Sequence, residues 1–282
     1  YTKGIFPLSS AWYLLMATRA VIRTGIKSRI SEHSMITDAQ INDIITSEHG
    51  QILNDVSWSR RKQDTIITTS STYSTGTVSS SGTTVTGSGT TFTSAMVGRF
   101  IRIGSNTFFH RITAFTSTTV ITIEAALPAD AAAGSTFTIF QHRYNLPSNF
   151  GRVLNVTSDN RLNEWSRGEI DRIDPYRTST ASRPDVYTMD GLDPDTSTSQ
   201  IFQIELWPVP SAATAVRVEY IRTNALDADT DEPLYRSDIL IWKASESAAF
   251  VLHARTGDQS WLELADRYHQ RYTEALEGAK ME

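Results

Sequence analysis

Ile201-Phe202-Gln203-Ile204-Glu205-Leu206-Trp207-Pro208-Val209-Pro210, followed shortly by Val216-Arg217-Val218-Glu219-Tyr220, is the stretch whose reading decides the fold. The strand signal sharpens over Ile201 to Trp207. Val216, Val218 and Tyr220 then alternate with Arg217 and Glu219, the period of a strand with one buried face. Pro208 and Pro210 fall between the two segments, where a missing amide donor does no harm to a ladder. The pair reads as a half-buried hairpin.

Downstream, an acidic loop from Asp227 to Glu232 and Pro233 lead into a helix from about Ile239 to His253, with Ser237 as its expected cap. Thr256-Gly257-Asp258 is a short turn, because glycine adopts the left-handed conformation that closes a helix. Ser260 with Glu263 has the spacing of a capping box, and Trp261, Leu264, Ala265, Tyr268, Tyr272 and Leu276 trace one stripe. A helical hairpin is expected at the C-terminus. Asp227, Asp229 and Asp231 imitate the start of a calcium loop, but the sixth position, where such a loop needs glycine, is Glu232, and the seventh is Pro233.

Upstream, residues 151–200 are polar, with turns favoured at Asp174-Pro175, Arg183-Pro184 and Asp193-Pro194 and short strands at Val153 to Val156 and Val186 to Tyr187. From Thr65 to Thr138 the chain is rich in Ser and Thr and punctuated by Gly76, Gly82, Gly87 and Gly89. Phe100 to Ile103, Phe109 to Phe115, Val120 to Ile123 and Thr136 to Phe140 carry the aromatic and β-branched content of strands. They predict a small antiparallel barrel or sandwich inserted into a helical core, which resumes at Asn145-Leu146-Pro147. Leu8, Trp12, Leu15, Ile22 and Ile26 share one helical face, with Ser9 or Ser10 as cap and Gly25 ending or bending the helix. A second helix starts near Thr37-Asp38 and runs through Ile41, Ile44, Ile45, Ile52, Leu53 and Val56.

The fold class is therefore α+β: a helical bundle core with a small β-hairpin or sheet and an inserted antiparallel β barrel or sandwich module. The expected divisions are 1–64 for the first part of the core, 65–144 for the β module, and 145–282 for the second part of the core.

The 282 residues carry a formal net charge of -5, without the basic excess that grips phosphates. With no Cys there are no disulfides, thiolate metal sites or Cys nucleophiles. The apolar start is interrupted by Ser9, Ser10, Thr18, Arg19, Arg23 and Lys27, so no membrane span is expected. Glu164, Glu169, Asp171 and Asp174 supply carboxylates of the kind that act as acid and base in glycosidases, yet such residues are also common surface groups. His33, His49, His110, His142, His253 and His269 show no HExxH spacing, and Gly87-Ser88-Gly89 is a lone GxG. The expectation is a non-enzyme with no cofactor and no metal. Arg60-Arg61-Lys62, the one compact basic run, suits the negative end of a helix dipole or, alternatively, a phosphate-bearing lumen or an acidic partner.

Taken in order, these segments resemble the head-to-tail connector (adaptor) proteins of tailed bacteriophages. The residues that carry the resemblance are Asn145-Leu146-Pro147, the IxLWPxP-type strand Ile204 to Pro210, the V-x-V-x-Y strand Val216 to Tyr220, and the helical ending Ile239 to Glu277. Gly82 to Phe92 with Val97-Gly98-Arg99-Phe100 is similar to β modules inserted in the same proteins. The resemblance implies a structural virion protein at the head-tail junction, made in the host cytoplasm. It implies a homo-oligomeric ring of about twelve copies, meeting the portal protein and a tail tube or nozzle protein, with tail spikes or fibres as further contacts. Genomic DNA would pass transiently and non-specifically through the lumen, and no membrane is involved. In that setting Trp261, Tyr268 and Tyr272 are the candidate portal interface, since aromatics combine apolar area with a polar tip, the alternative being that the stripe packs on the Ile239 to His253 helix, the reading favoured for Trp261. Arg60, Arg61 and Lys62 are the candidate lumen or partner cluster. The rival reading is a fibre-associated or carbohydrate-binding virion protein acting through the β module, with Phe108 and Phe109 stacking on sugars. A glycan-degrading enzyme using the carboxylates from Glu164 to Asp174 is the third.

Overall fold

The structure, a computed structural model, describes residues 17–30, 35–55, 59–105, 108–193 and 201–280. Leu8, Trp12, Leu15 and the cap expected at Ser9 or Ser10 lie outside the described residues, as does Val56. By its internal contacts the chain divides into two compact units, residues 1–62 with 222–282 and residues 63–221. The class is α+β, as expected.

In the helical unit, α1 (Arg19–Lys27) and α2 (Asp38–Asp55) pack on α4 (Ser237–Thr256), which in turn lies along α5 (Ser260–Lys280). Ile22, Ile26, Ile41, Ile45, Ile241 and Leu252 fill the core between them. Gly25 does not end α1. A Cβ there would sit 3.3 Å from Ile241 Cδ1, so glycine lets α1 lie close against α4, and the helix runs on to Lys27. Thr37 and Gln40 form a reciprocal cap at the start of α2: Gln40 N–H donates to Thr37 Oγ1 (3.3 Å) and Thr37 N–H donates to Gln40 Oε1 (3.0 Å). Gly257 closes α4 with φ +70°, its N–H donating to His253 O. The first turn of α5 is served by Asp258, whose carboxylate accepts from Ser260 N–H at 2.9 Å, and not by the Ser260–Glu263 box. Ser237 likewise does not cap α4; its buried Oγ accepts from Ala17 N–H at 2.6 Å.

The second unit is built from strands. β1 (Lys62–Thr68), β2 (Thr77–Ser81), β3 (Thr84–Ser88), β4 (Phe100–Ile103), β5 (His110–Ser117), β6 (Val120–Ile123) and β7 (Phe137–Phe140) come first. β8 (Arg143–Asn145), β9 (Phe150–Ser158), β10 (Asn160–Arg161) and β11 (Asn163–Glu164) precede the short helix α3 (Arg167–Ile173). β12 (Thr180–Ala181), β13 (Val186–Leu192), β14 (Phe202–Trp207), β15 (Val209–Pro210) and β16 (Ala215–Arg222) follow.

β2-β3-β6-β5-β4-β7 make one antiparallel sheet, curled until its edges meet. Val78 and Ser135 exchange backbone bonds of 2.9 and 3.0 Å, and Tyr73 and Ile139 exchange bonds of 2.8 and 2.7 Å. The result is a partial barrel around Val85, Phe92, Ile101, Ile112 and Ile121. Closure hides strand edges that would otherwise invite pairing with other chains. At Gly76 (φ +90°) a Cβ would lie 2.5 Å from Ser88 O, so only glycine fits where the chain enters β2.

The deciding stretch folds differently from the expected hairpin. β14 runs between β13 and β8, whereas β16 lies between β1 and β9 in another sheet. Between them, β15 pairs in parallel with β12. Ile204, Leu206, Val216, Val218 and Tyr220 nevertheless share one core with Phe150 and Val156. The alternation therefore identified the buried faces correctly but not the neighbours, since period two reports which side is dry and not which strand is bonded. β14 is also covered on both faces: Gln203, Ile204, Glu205 and Leu206 are all buried.

Candidate functional site

The aromatic stripe of α5 faces the helical core. Trp261 is 6% exposed and Tyr268 8%. Tyr268 packs on Trp242 (ring centroids 5.9 Å apart) and its hydroxyl donates to Arg29 O at 2.7 Å. Tyr272 is half-buried, with Lys243 Nζ 5.4 Å from its ring centre. Of the three candidate portal residues, two are thus engaged in holding α5 on α4, and Tyr272 keeps some surface. Lys243 and His269 both reach Glu246, each at 3.2 Å, and Ser247 Oγ donates to Glu48 Oε1 at 2.6 Å, forming a polar seam among α2, α4 and α5.

In the basic run, Arg61 donates to Leu53 O at 2.6 Å, the C-terminal turn of α2, which is the dipole-end role. Arg60 and Lys62 are exposed. The acidic loop is likewise accounted for by local bonds: Asp231 accepts from the N–H groups of Asp227 (2.9 Å) and Ala228 (2.6 Å), and Asp229 takes Arg23 through both carboxylate oxygens (2.7 and 2.9 Å).

The carboxylates near α3 serve as structural anchors. Ser166 N–H donates to Glu169 Oε2 at 2.7 Å while Ser166 Oγ accepts from Glu169 N–H, a capping box. Burial raises the pKa of Asp174, but the N–H groups of Thr178 and Ser179 with the Trp207 indole outweigh it, and its pKa falls to about 2. Glu164 accepts from Tyr187 OH at 3.3 Å.

The densest chemistry surrounds Glu205, which sequence reading passed over. Its side chain is fully buried, bonded to Arg177 Nε, with Arg143 Nε at 3.7 Å. Asp190 joins Arg143 (2.5 Å) to Arg167 (2.6 Å), and Asp171 holds Arg177 (2.6 Å). Three carboxylates thus meet three guanidiniums. Burial pushes the Glu205 carboxyl up and the two arginines pull it back. Arg177 has φ +52°, a backbone cost sustained by a side chain held on Glu205, Asp171 and the Asp174 carbonyl. Beside this network His142 is fully buried against the rings of Phe100, Phe109 and Phe140, and neither ring nitrogen has a hydrogen-bond partner among the described residues. Burial first, then the positive charges of Arg143 and Arg177, hold its pKa well below the ordinary value. The only sequence signal was Glu205 itself, a carboxylate inside an apolar strand.

Of the two phenylalanines offered for sugar stacking, Phe109 packs edge-on against Phe100 (5.3 Å) and Phe140 (5.7 Å), while Phe108 is 57% exposed beside Tyr176. No helix among the described residues is long and apolar enough to cross a membrane. The arrangement consists of ion pairs, caps and stacked rings that make a scaffold rigid.

No curated protein sequence matches the chain. The family model described as SU10 adaptor protein matches residues 77–281. That range holds the partial barrel, the Glu205 network and both C-terminal helices, so the chain belongs to the SU10 adaptor family of structural, non-catalytic proteins with an adaptor role in the phage virion.

Proposed function

We propose that the protein forms a ring of about twelve identical subunits at the head-tail junction, one end on the portal and the other on the tail tube or nozzle, with a lumen through which the genome passes. The family match across residues 77–281 carries this reading. A net charge of -5 suits it, because a lumen that does not hold phosphate lets DNA slide. The C-terminal helix is the portal-facing element: Trp261 and Tyr268 set its position on α4, and Tyr272 with the exposed face of the helix makes the contact. Arg60 and Lys62 are exposed basic groups that face the lumen or a partner in this reading. The partial barrel, between Thr77 and Phe140, is the peripheral element, meeting neighbouring subunits or tail spikes and fibres. Assembly takes place in the host cytoplasm.

Negative-stain imaging with mass photometry, of the purified chain alone and mixed with its cognate portal, tests this. Rings in either sample support the reading. A monomer that ignores the portal overturns it.

A further inference from the structure

The partial barrel and the sheets beside it belong to one compact unit but have separate cores. Val85, Ile112 and Ile121 help fill the first, and Leu206, Val216 and Val218 the second. Between them lies a smaller cluster of Phe100 and Phe140 from the barrel and Val209 from β15, with Phe109 packed against it. His142, in the short link from β7 to β8, sits in this joint. Its ring lies 4.5 Å from Phe100, 5.4 Å from Phe109 and 5.7 Å from Phe140, centre to centre, and its carbonyl accepts from Leu206 N–H of β14 at 2.8 Å. Arg102 of β4 crosses the same boundary, donating to Arg177 O at 3.2 Å. An aromatic cage around a histidine thus ties the barrel to the rest of its unit.

A neutral ring suits the cage; a charged one does not. An imidazolium has two N–H donors, and neither nitrogen of His142 has an acceptor among the described residues. Cation–π attraction to the phenylalanine faces does not replace one, because those rings already carry guanidiniums: Arg143 lies 5.4 Å from the centre of Phe100 and Arg102 5.1 Å from the centre of Phe140. Arg102 from β4, Arg143 from β8, Arg167 from α3 and Arg177 from the turn after it all lie close enough to repel a charge on His142. The acids nearby are taken: Asp190 of β13 is shared by Arg143 and Arg167, while Glu205 of β14 and Asp171 of α3 hold Arg177. Beyond Phe109, β5 brings the half-buried His110 and then Arg111, which pairs with Asp193 at 3.1 Å. Arg99, beside Phe100, is half-buried near Tyr144. A charge that has lost water and gained no partner is relieved when its side chain moves back to water.

We propose that His142 is an acid-operated latch: a proton taken from water onto its ring drives the ring out of the phenylalanine cage and frees the partial barrel from the rest of its unit, with both parts still folded. The open form titrates as an ordinary histidine, near pH 6.5, so the opening equilibrium is smallest at neutral pH and rises up to about tenfold for each pH unit below that value. The barrel can survive the release because the bonds that close it, between Val78 and Ser135 and between Tyr73 and Ile139, lie within it.

The chain has no cysteine, so a single introduced thiol reports local opening without background. Val209→Cys places it in the joint, Val85→Cys in the barrel core and Val218→Cys in the core of the adjoining sheets; all three valines are fully buried. Labelling by a thiol reagent is followed from pH 7 to 5 on the full chain, each rate divided by that of the same variant unfolded in denaturant at the same pH. The ratio for Val209→Cys should rise up to about tenfold per pH unit below about 6.5 while the other two hold steady, and adding His142→Phe should abolish the rise. Thermal melts verify that each variant is folded, with His142→Leu in place of His142→Phe if the latter is not. A rise that persists without the histidine overturns the proposal. So does a rise that all three thiols share, which is unfolding of the whole unit, and so does a joint thiol that stays protected at pH 5.

Discussion

Both units bury a histidine, and they do it by opposite means. In the helical unit His49 has both ring nitrogens bonded, to Tyr235 OH at 2.8 Å and Asn224 O at 2.9 Å. The carbonyl fixes a proton on Nε2, so Nδ1 accepts from the tyrosine. In the β unit His142 has aromatic rings on its faces, arginines nearby and no hydrogen bond among the described residues. The carboxylates follow a parallel division. Glu48 and Glu246 lie at the margin of the helical core, 8% and 7% exposed, whereas Glu205 is sealed in with Arg177. The helical unit draws its cohesion from apolar faces and keeps charge at the edge; the β unit closes its centre over charge. Breaking a polar contact should therefore cost far more in the β unit than in the helical one.

The largest expected effect comes from Glu205→Ala, which takes from the buried Arg177 its one fully buried carboxylate, leaving it to the part-exposed Asp171, at a cost of about 3–5 kcal/mol. Chemical unfolding followed by the near-ultraviolet signal of the stacked pair Trp165 and Trp207, whose ring centroids lie 5.8 Å apart, should show it. Glu246→Ala in the helical unit should cost less than about 1 kcal/mol. Equal losses at the two sites would break the contrast.

Next is His49→Phe, which removes one hydrogen bond from the buried Tyr235 hydroxyl and one from the Asn224 carbonyl and should cost about 1–3 kcal/mol at neutral pH. His142→Phe leaves no hydrogen bond unmade and should be close to neutral there. A larger loss at His142 than at His49, read from urea midpoints, would reverse the assignment.

Acid sharpens the comparison further. Burial lowers both histidine pKa values, so the folded chain favours neutral rings. Their contribution is complete above the unfolded value near 6.5 and is lost as pH falls below it, at up to about 1.4 kcal/mol per pH unit for each ring. In the β unit this slope should flatten with His142→Phe, measured as unfolding midpoints between pH 7 and 5. Asp174 adds a second, lower window: its depressed pKa stabilises above about 4, and that contribution is lost as pH falls toward about 2.

The smallest effect is expected for Arg61→Ala. Loss of its bond to Leu53 O at the end of α2 should cost about 0.3–1 kcal/mol, seen as a slight drop in the melting of the helical signal. A loss as large as that of Glu205→Ala would give the basic run a role that the helix end does not explain.

Much of the helical unit was legible because its signals are local. The stripe Trp261, Leu264, Ala265, Tyr268, Tyr272 and Leu276 faces the core as its spacing required, and Gly257 closes α4. Gly25 misled, since its reason for being small is Ile241 on another helix. In the candidate site, the same spacing that marked Trp261 and Tyr268 also turns them inward onto α4. Glu205 and Arg177 are 28 residues apart, and no local pattern links them.

By itself, then, the sequence determined the class of the fold, the apolar face of each long helix, the β-branched strands of the barrel and the absence of thiol chemistry. Each follows from residue type and a period of two or about 3.6 residues along the chain. Tertiary structure decided that β14 and β16 join different sheets, that Glu205 is buried, and which arginines find carboxylates. Those outcomes depend on which distant segment arrives beside a residue, and on whether a charge taken out of water meets its opposite there.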